Sequence, residues 1–299
     1  MITPIPPTDT RSYFRPAGES LIALLHDLPA DAWTRTAVGS WQVRDVVAHL
    51  VDVGNRRVAF HRDRHVPPPP PFAIESDRDF ARFINRINAD WVDASRRLST
   101  RQLTEHYEKS ARELADFVES LPEDAPGLFG VSWAGEMESA GWFDIGREFT
   151  EQWHHQAQLR EAAGAPPMSD PAWLHATLLI ALRGLPHAFR AQEAPDGATL
   201  ALDVSGPSGG AWTLERAGGI WRLMAGTPAS PSARAAMTGD AAWRLLFNGL
   251  PTDRARAPTP SSPASRTSIA IWCIARRCRP MCSCARSSSR PTARRFTMR

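Results

Sequence analysis

Apolar side chains recur every three or four residues through most of the first half of the chain, a spacing that places them on one face of an α-helix. The pattern predicts helices over about 9–28, 41–63, 76–99, 101–121 and 139–163. Ser40 is the expected N-cap of the second helix, and Ser99-Thr100 is the expected break between the third and the fourth. We therefore expect residues 1–165 to form an all-helical domain.

The pattern changes after residue 165. Asp170 is expected to cap a helix of roughly 20 residues. Short, partly alternating apolar runs follow at 198–204, 211–216 and 219–224, separated by turns rich in Gly and Pro. Such runs are typical of antiparallel strands joined by tight turns. With a short helix from Asp240 to Asn248, residues 166–253 are expected to form a linker helix and a small α+β domain.

The last 46 residues, 254–299, have neither period. They contain 11 Arg and no Asp, Glu or Lys, and they hold all four cysteines of the chain. The whole chain has 34 Arg and a single Lys, which suggests GC-rich coding, and in GC-rich DNA a shifted frame tends to stay open. Our hypothesis is a frameshift near 253–258 that leaves the second domain incomplete. The alternative is a genuine, disordered basic tail.

The charge and hydropathy of the chain limit the possible partners. Residues 1–253 carry 24 basic and 32 acidic side chains, a mildly acidic balance that disfavours nucleic acid as a partner. No apolar run approaches the ~18 residues that span a bilayer. The first residues lack the basic and apolar regions of a secretion signal. We therefore expect a cytoplasmic protein that does not enter a membrane.

The candidate chemistry lies in the last predicted helix of the first domain. Glu151 and His155 are four residues apart, so a carboxylate and an imidazole share one helical face. Two histidines and a carboxylate form the ligand set of many catalytic zinc sites, and His49, at the edge of the second helix's apolar face, is the candidate third ligand. Two alternatives remain at this point. A Glu/His pair with this spacing also occurs by chance on exposed helices, and His49 by itself fits a core-edge residue.

The other histidines are expected to lie outside such a site. His154 should point about 100° away from its neighbour His155, because consecutive helical residues differ by that angle. It is expected to face solvent or to support the site from outside. Surface positions are expected for the remaining candidates, which are His61, His65, His106, His175 and His187.

Two segments carry a resemblance. GSWQVRDVVAHL, ending at His49, and REFTEQWHHQAQLREAAG, containing Glu151 and His155, are similar to the two signatures of the mycothiol-dependent maleylpyruvate isomerase family, which belongs to the DinB-like metal-binding four-helix proteins. The resemblance implies a mainly α fold, a DinB-like four-helix bundle followed by a small α+β domain. It also places His49, Glu151 and His155 in the three metal-ligand positions. Many relatives have Asp where this chain has Gln158.

The function implied by the resemblance is an isomerase or an S-transferase. It would need a divalent metal, with zinc expected, and a low-molecular-weight thiol of the mycothiol type, and would act on a small, carboxylated electrophile. Since residues 1–253 contain no Cys, the reactive sulfur would arrive with the cofactor. Alternatives are a metal-dependent hydrolase, a non-catalytic metal-binding protein and an unstable product of a shifted frame. The sequence selects neither substrate nor oligomeric state. Candidate anchors for a substrate carboxylate are Arg44, Arg82, Arg86 and Arg147, each of which also fits a solvated surface position.

Overall fold

A computed structural model describes residues 1–247. The first part of the chain is helical, as its apolar periodicity predicts. Its helices are α1 (Phe14–Asp27), α2 (Val43–Arg57), α3 (Asp77–Ser95), α4 (Thr100–Glu119) and α5 (Gly141–Ala163). Helices α1 and α2 both pack against α4, and α2 also contacts α3 and α5. The apolar stripes meet between these helices, where side chains such as Leu21, Val47 and Leu103 are buried.

Shorter elements complete the described residues. The remaining helices are α6 (Pro171–Leu182), α7 (Leu185–Phe189) and α8 (Gly239–Leu246), and the strands are β1 (Thr3–Pro4), β2 (Thr36–Val38), β3 (Trp41–Gln42), β4 (Thr199–Ser205), β5 (Gly210–Ala217), β6 (Ile220–Ala225) and β7 (Ala233–Thr238). This arrangement confirms the expected fold class, mainly α with an α+β C-terminal part. Within residues 1–247, no helix has the length and apolar character needed to span a membrane.

Several helix ends differ from the sequence prediction by a few residues, and two of these differences have a clear local cause. Helix α2 is capped at Gln42 rather than Ser40, because Trp41 and Gln42 pair with β2 before the helix begins. The backbone N–H of Gln42 donates to the carboxylate of Asp45 at 3.0 Å, which closes the first turn. The helix after Asp170 ends at Leu182. It does not reach 20 residues because Gly184 and Pro186 interrupt it and start α7.

Five strands form one sheet. Strands β4, β5, β6 and β7 make up most of it, and β1 lies at one edge. The strand order is β1-β6-β5-β4-β7, with β4 and β7 parallel and the other neighbours antiparallel. The three predicted strands are present. Strands β1 and β7 were not predicted, because β1 lies in a proline-rich segment and β7 consists mainly of alanine with little apolar contrast.

The core runs without interruption from the helices into the sheet. Phe149 and Trp153 of α5, Leu178 of α6 and Leu214 of β5 belong to one buried apolar cluster. The rings of Trp153 and Trp243 meet edge to face, with centroids 5.6 Å apart. Helix α5 is therefore shared by both parts of the molecule. The domain boundary at 165 stays a prediction, and the tail at 254–299 lies outside the described residues.

Candidate metal centre

The packing of α2 against α5 brings three of the candidate side chains together. One ligand atom each from His49, Glu151 and His155 lies within 4.8 Å of the other two. The Nε2 atom of His155 is 3.3 Å from Oε2 of Glu151. The imidazole rings of His49 and His155 stand nearly perpendicular, with centroids 4.8 Å apart. Residues about a hundred positions apart in sequence thus form one cluster.

The cluster is buried on its histidine side and reaches solvent at its carboxylate. His49 is 3% exposed and His155 is fully buried. The side chain of Glu151 is 22% exposed. The ring of Trp41 lies against His49, with the centroids 5.3 Å apart. A small ligand would therefore approach the cluster from the side of Glu151.

Gln158 orients His155 within the cluster. Its amide oxygen lies 2.8 Å from Nδ1 of His155. Because that oxygen can only accept a hydrogen bond, Nδ1 donates to it, and Nε2 is the nitrogen left for a metal. Nε2 faces Glu151, as ligation through this nitrogen requires. The amide thus supplies the hydrogen bond for which the resemblance suggests an Asp, without adding a negative charge.

The pKa values favour the protonation states that a metal needs. Burial lowers the pKa of His49 well below its ordinary value, and the charges of His155 and Arg56 add to that effect against an opposing contribution from Glu151. Burial raises the pKa of Glu151, but the hydrogen bond with His155 and the electrostatic attraction of the neighbouring imidazoles outweigh it and leave this pKa below its usual range. At neutral pH His49 is neutral and Glu151 is ionised, as divalent-metal ligands must be.

A comparison with known protein families finds a match over the segment that contains the three clustered residues. Residues 14–160 match the family model described as the mycothiol maleylpyruvate isomerase N-terminal domain. The match supports the family that the two sequence segments indicate. The matched segment runs from the start of α1 into the last turn of α5 and contains all three clustered residues. No curated protein and no solved structure matches the chain.

The donor set of His49, Glu151 and His155 fits a divalent metal. It offers two imidazole nitrogens and one carboxylate, the combination found in many catalytic zinc sites. One histidine has an orienting partner beyond the ligands, which is also usual in metal sites. The same donors suit other divalent transition metals. The geometry therefore supports a metal site without selecting the ion.

Two other histidines are less exposed than the sequence predicts. His154 is fully buried, so the prediction that it faces solvent is wrong. Its Nδ1 donates to the backbone oxygen of Thr150 at 2.7 Å, and its ring stacks on Phe247 with the centroids 4.8 Å apart. His61 is also buried, against the ring of Phe117. In both cases an element distant in sequence covers the histidine.

A second buried cluster, made of one arginine and two carboxylates, also joins α2 to α5, and the sequence analysis did not predict it. Arg57 of α2 donates two hydrogen bonds to Asp144, at 2.8 and 2.9 Å, and two to Glu148, at 3.0 and 3.2 Å. The side chains of Arg57 and Asp144 are at most 1% exposed. The available signal was the position of Asp144 and Glu148 on the same face of α5 as Glu151. If that face of the helix is buried, the two carboxylates need a cation opposite them.

The four arginines considered as anchors for a substrate carboxylate have other contacts; they are Arg44, Arg82, Arg86 and Arg147. Arg44 donates to the backbone oxygens of residues 96 and 98 between α3 and α4. The guanidinium of Arg82 lies over the ring of Phe72, and Arg86 lies 3.7 Å from Asp90. Arg147 pairs with Asp144 and Glu148 at 3.3 Å each. These contacts give none of the four a clear role at the three-residue cluster.

Proposed function

We propose that His49, Glu151 and His155 bind one divalent metal ion, with zinc as the expected metal. We further propose that the protein uses this centre with a low-molecular-weight thiol of the mycothiol type. The reaction would be isomerisation or S-transfer on a small, carboxylated electrophile. The observation that carries the proposal is the convergence of three ligand atoms within 4.8 Å of one another. The match to the mycothiol maleylpyruvate isomerase N-terminal domain supports the thiol.

When bound, the metal and the thiol together supply a sulfur nucleophile at neutral pH, which adds to and later leaves an activated double bond in isomerisation or displaces a leaving group in S-transfer. The protein contributes the environment. Gln158 holds His155 in the tautomer that presents Nε2. The Trp41 ring and the surrounding helices keep water away from His49. Glu151 marks the side on which thiol and substrate enter.

The proposal is tested by replacing the metal with Co²⁺ and titrating the full-length protein with mycothiol or, as a simple probe, 2-mercaptoethanol. We expect a sulfur-to-cobalt charge-transfer band that saturates in the wild type and is absent in His155→Ala. His106→Ala, on the exposed surface of α4, is the matched control and should keep the band. A cobalt-loaded wild type that shows no band with either thiol would contradict the thiol chemistry. Turnover that needs metal but no thiol would favour a hydrolase.

A further inference from the structure

Arg56 lies on the same face of α2 as His49. The two residues are seven positions apart, so their Cα–Cβ directions differ by only about 20° around the helix. The side chain of Arg56 folds back toward His49, since its Nε atom is 3.0 Å from Oδ2 of Asp52, one turn nearer the cluster. The guanidinium therefore lies closer to His49 than the two full helical turns between the backbone positions would place it.

Two contacts fix the guanidinium of Arg56 in place. Besides the ion pair with Asp52, its Nη2 donates to the amide oxygen of Asn88 on α3 at 2.8 Å. An arginine held in this way loses less conformational entropy when it binds a ligand. The guanidinium thus lies where α2 meets α3.

Exposure and charge distinguish Arg56 from its neighbours. Its side chain is 24% exposed, whereas Arg57, the next residue, is 1% exposed and serves the carboxylates of α5. Burial raises the pKa of Asp52, an effect that Arg56 partly offsets, so the partner carboxylate is itself poorly solvated. The positive charge of Arg56 also contributes to lowering the pKa of His49. Arg56 is thus partly accessible to solvent and lies on the same face of α2 as His49.

We propose that Arg56 forms a subsite for a carboxylate group of the ligand that binds at the His49, Glu151 and His155 cluster. The inference rests on the proposed function and names the chemistry of one end of its ligand. A guanidinium recognises a carboxylate through paired, charge-assisted hydrogen bonds. We expect the ligand to carry this carboxylate a few bonds from the group that binds at the cluster.

Two thiols that differ in their charge test the subsite on cobalt-loaded, full-length protein. The probes are 3-mercaptopropionate and 2-mercaptoethanol, and the readout is the dissociation constant from the charge-transfer band. We expect Arg56→Gln to weaken 3-mercaptopropionate by about 10- to 100-fold, the worth of a hydrogen bond to a charged group. Binding of 2-mercaptoethanol should change by less than about twofold, because it has no carboxylate to lose a charge-assisted contact. Arg56→Lys should restore part of the selectivity.

Arg147→Gln is the matched control, because Arg147 is equally exposed, at 23%, but pairs with Asp144 and Glu148. It should leave the preference between the two thiols unchanged. If Arg56→Gln weakens both thiols equally or neither, the subsite is refuted. If the wild type shows no band with either thiol, the thiol proposal fails. Succinate, followed through the visible cobalt bands, then decides the subsite: equal affinity in wild type and Arg56→Gln overturns it, and weaker binding in the variant supports it.

Discussion

At the scale of single residues, the cluster of His49, Glu151 and His155 depends on Gln158, which is not one of the three candidate ligands. Gln158 sets the tautomer of His155 through one hydrogen bond of 2.8 Å. A carboxylate at this position would make the same contact but would add a negative charge next to Glu151. The amide therefore orients the candidate ligand while leaving the proposed metal site one charge less negative.

Replacement of Gln158 tests that role. Gln158→Leu removes the acceptor for Nδ1, so His155 is no longer held in the tautomer that presents Nε2. We expect the dissociation constant of the metal to rise about 10- to 100-fold, as is usual when an orienting partner is lost. Competition with a chromophoric chelator measures it. Gln158→Glu keeps an acceptor and should retain affinity. A leucine variant that binds metal as tightly as the wild type would refute the orienting role.

The sequence could predict which three side chains come together but not their surroundings. That Glu151 and His155 share one face follows directly from helical geometry, and His49 was a candidate from its place on the second helix, which the resemblance then put in a ligand position. The burial of His154 could not be predicted, because Phe247, which stacks on it, lies 93 positions further along the chain. Contacts of that kind leave no periodic signal in sequence. The hydrogen bond of Gln158 is local, but its orientation requires coordinates.

At the scale of elements, the register between α2 and α5 decides whether the ligands meet. The ion cluster of Arg57, Asp144 and Glu148 joins the same two helices about two turns from His49. It lies in the interior, where charges must pair with one another or remain unsatisfied. A slip of one helix past the other would break these contacts. The cluster therefore favours the register that aligns His49 with Glu151 and His155.

Removal of the cation should be costly. Arg57→Met leaves Asp144 and Glu148 buried with Arg147, whose side chain is 23% exposed, as the remaining cation paired with them. We expect a loss of about 3–5 kcal/mol in the free energy of unfolding. Urea denaturation followed by circular dichroism measures it. The triple variant Arg57→Met, Asp144→Leu and Glu148→Met removes all three charges and should recover most of that loss. A single variant as stable as the wild type would contradict the account of this cluster.

The same cluster predicts a pH dependence. Burial alone would raise the pKa of Asp144, but its contacts with Arg57 and Arg147 lower it from 3.8 to about 2. Because the folded pKa is the lower one, the stabilisation is complete above the unfolded value and is lost as the pH falls through the folded value. The difference in unfolding free energy between wild type and Asp144→Asn should stay constant from pH 7 to about 5 and shrink toward pH 2. A difference that grows on acidification would contradict this assignment.

The helices themselves were the most predictable elements. Their apolar stripes bury one face each, and Gly164, with φ of 68°, ends α5 where the sequence predicts. The division of the predicted long helix into α6 and α7 was missed, because apolar content continues through Gly184 and Pro186. Strand β7 was missed for the opposite reason, since its alanines carry little hydrophobic contrast.

At the scale of the whole molecule, helices and sheet share one buried apolar cluster. Trp153 of α5 meets Trp243 of α8, and Leu214 of β5 belongs to the same cluster as Phe149. Helix α5 also carries two of the three candidate ligands. A substitution that destabilises the sheet should therefore also destabilise the proposed metal site through α5, although the two lie in parts of the chain with different secondary structure.

Leu214→Ala tests this continuity, because Leu214 is fully buried. We expect a loss of about 2–5 kcal/mol in the free energy of unfolding. Loss of cobalt absorption and loss of circular dichroism should share a single, lowered thermal midpoint. Val66→Ala, at an exposed loop position, is the control and should leave the midpoint unchanged. Separate transitions for the cobalt site and the sheet would show that the two parts unfold independently.

The central claim is that two histidines and one glutamate, distant in sequence, hold a single divalent ion. Elemental analysis of purified protein after dialysis against zinc tests it most directly. The account predicts about one equivalent of metal in the wild type, as three protein ligands would hold it. His106→Ala should keep that equivalent, and His49→Ala should lose most of it. A wild type with no bound metal, or a His49→Ala variant that retains a full equivalent, would contradict the account.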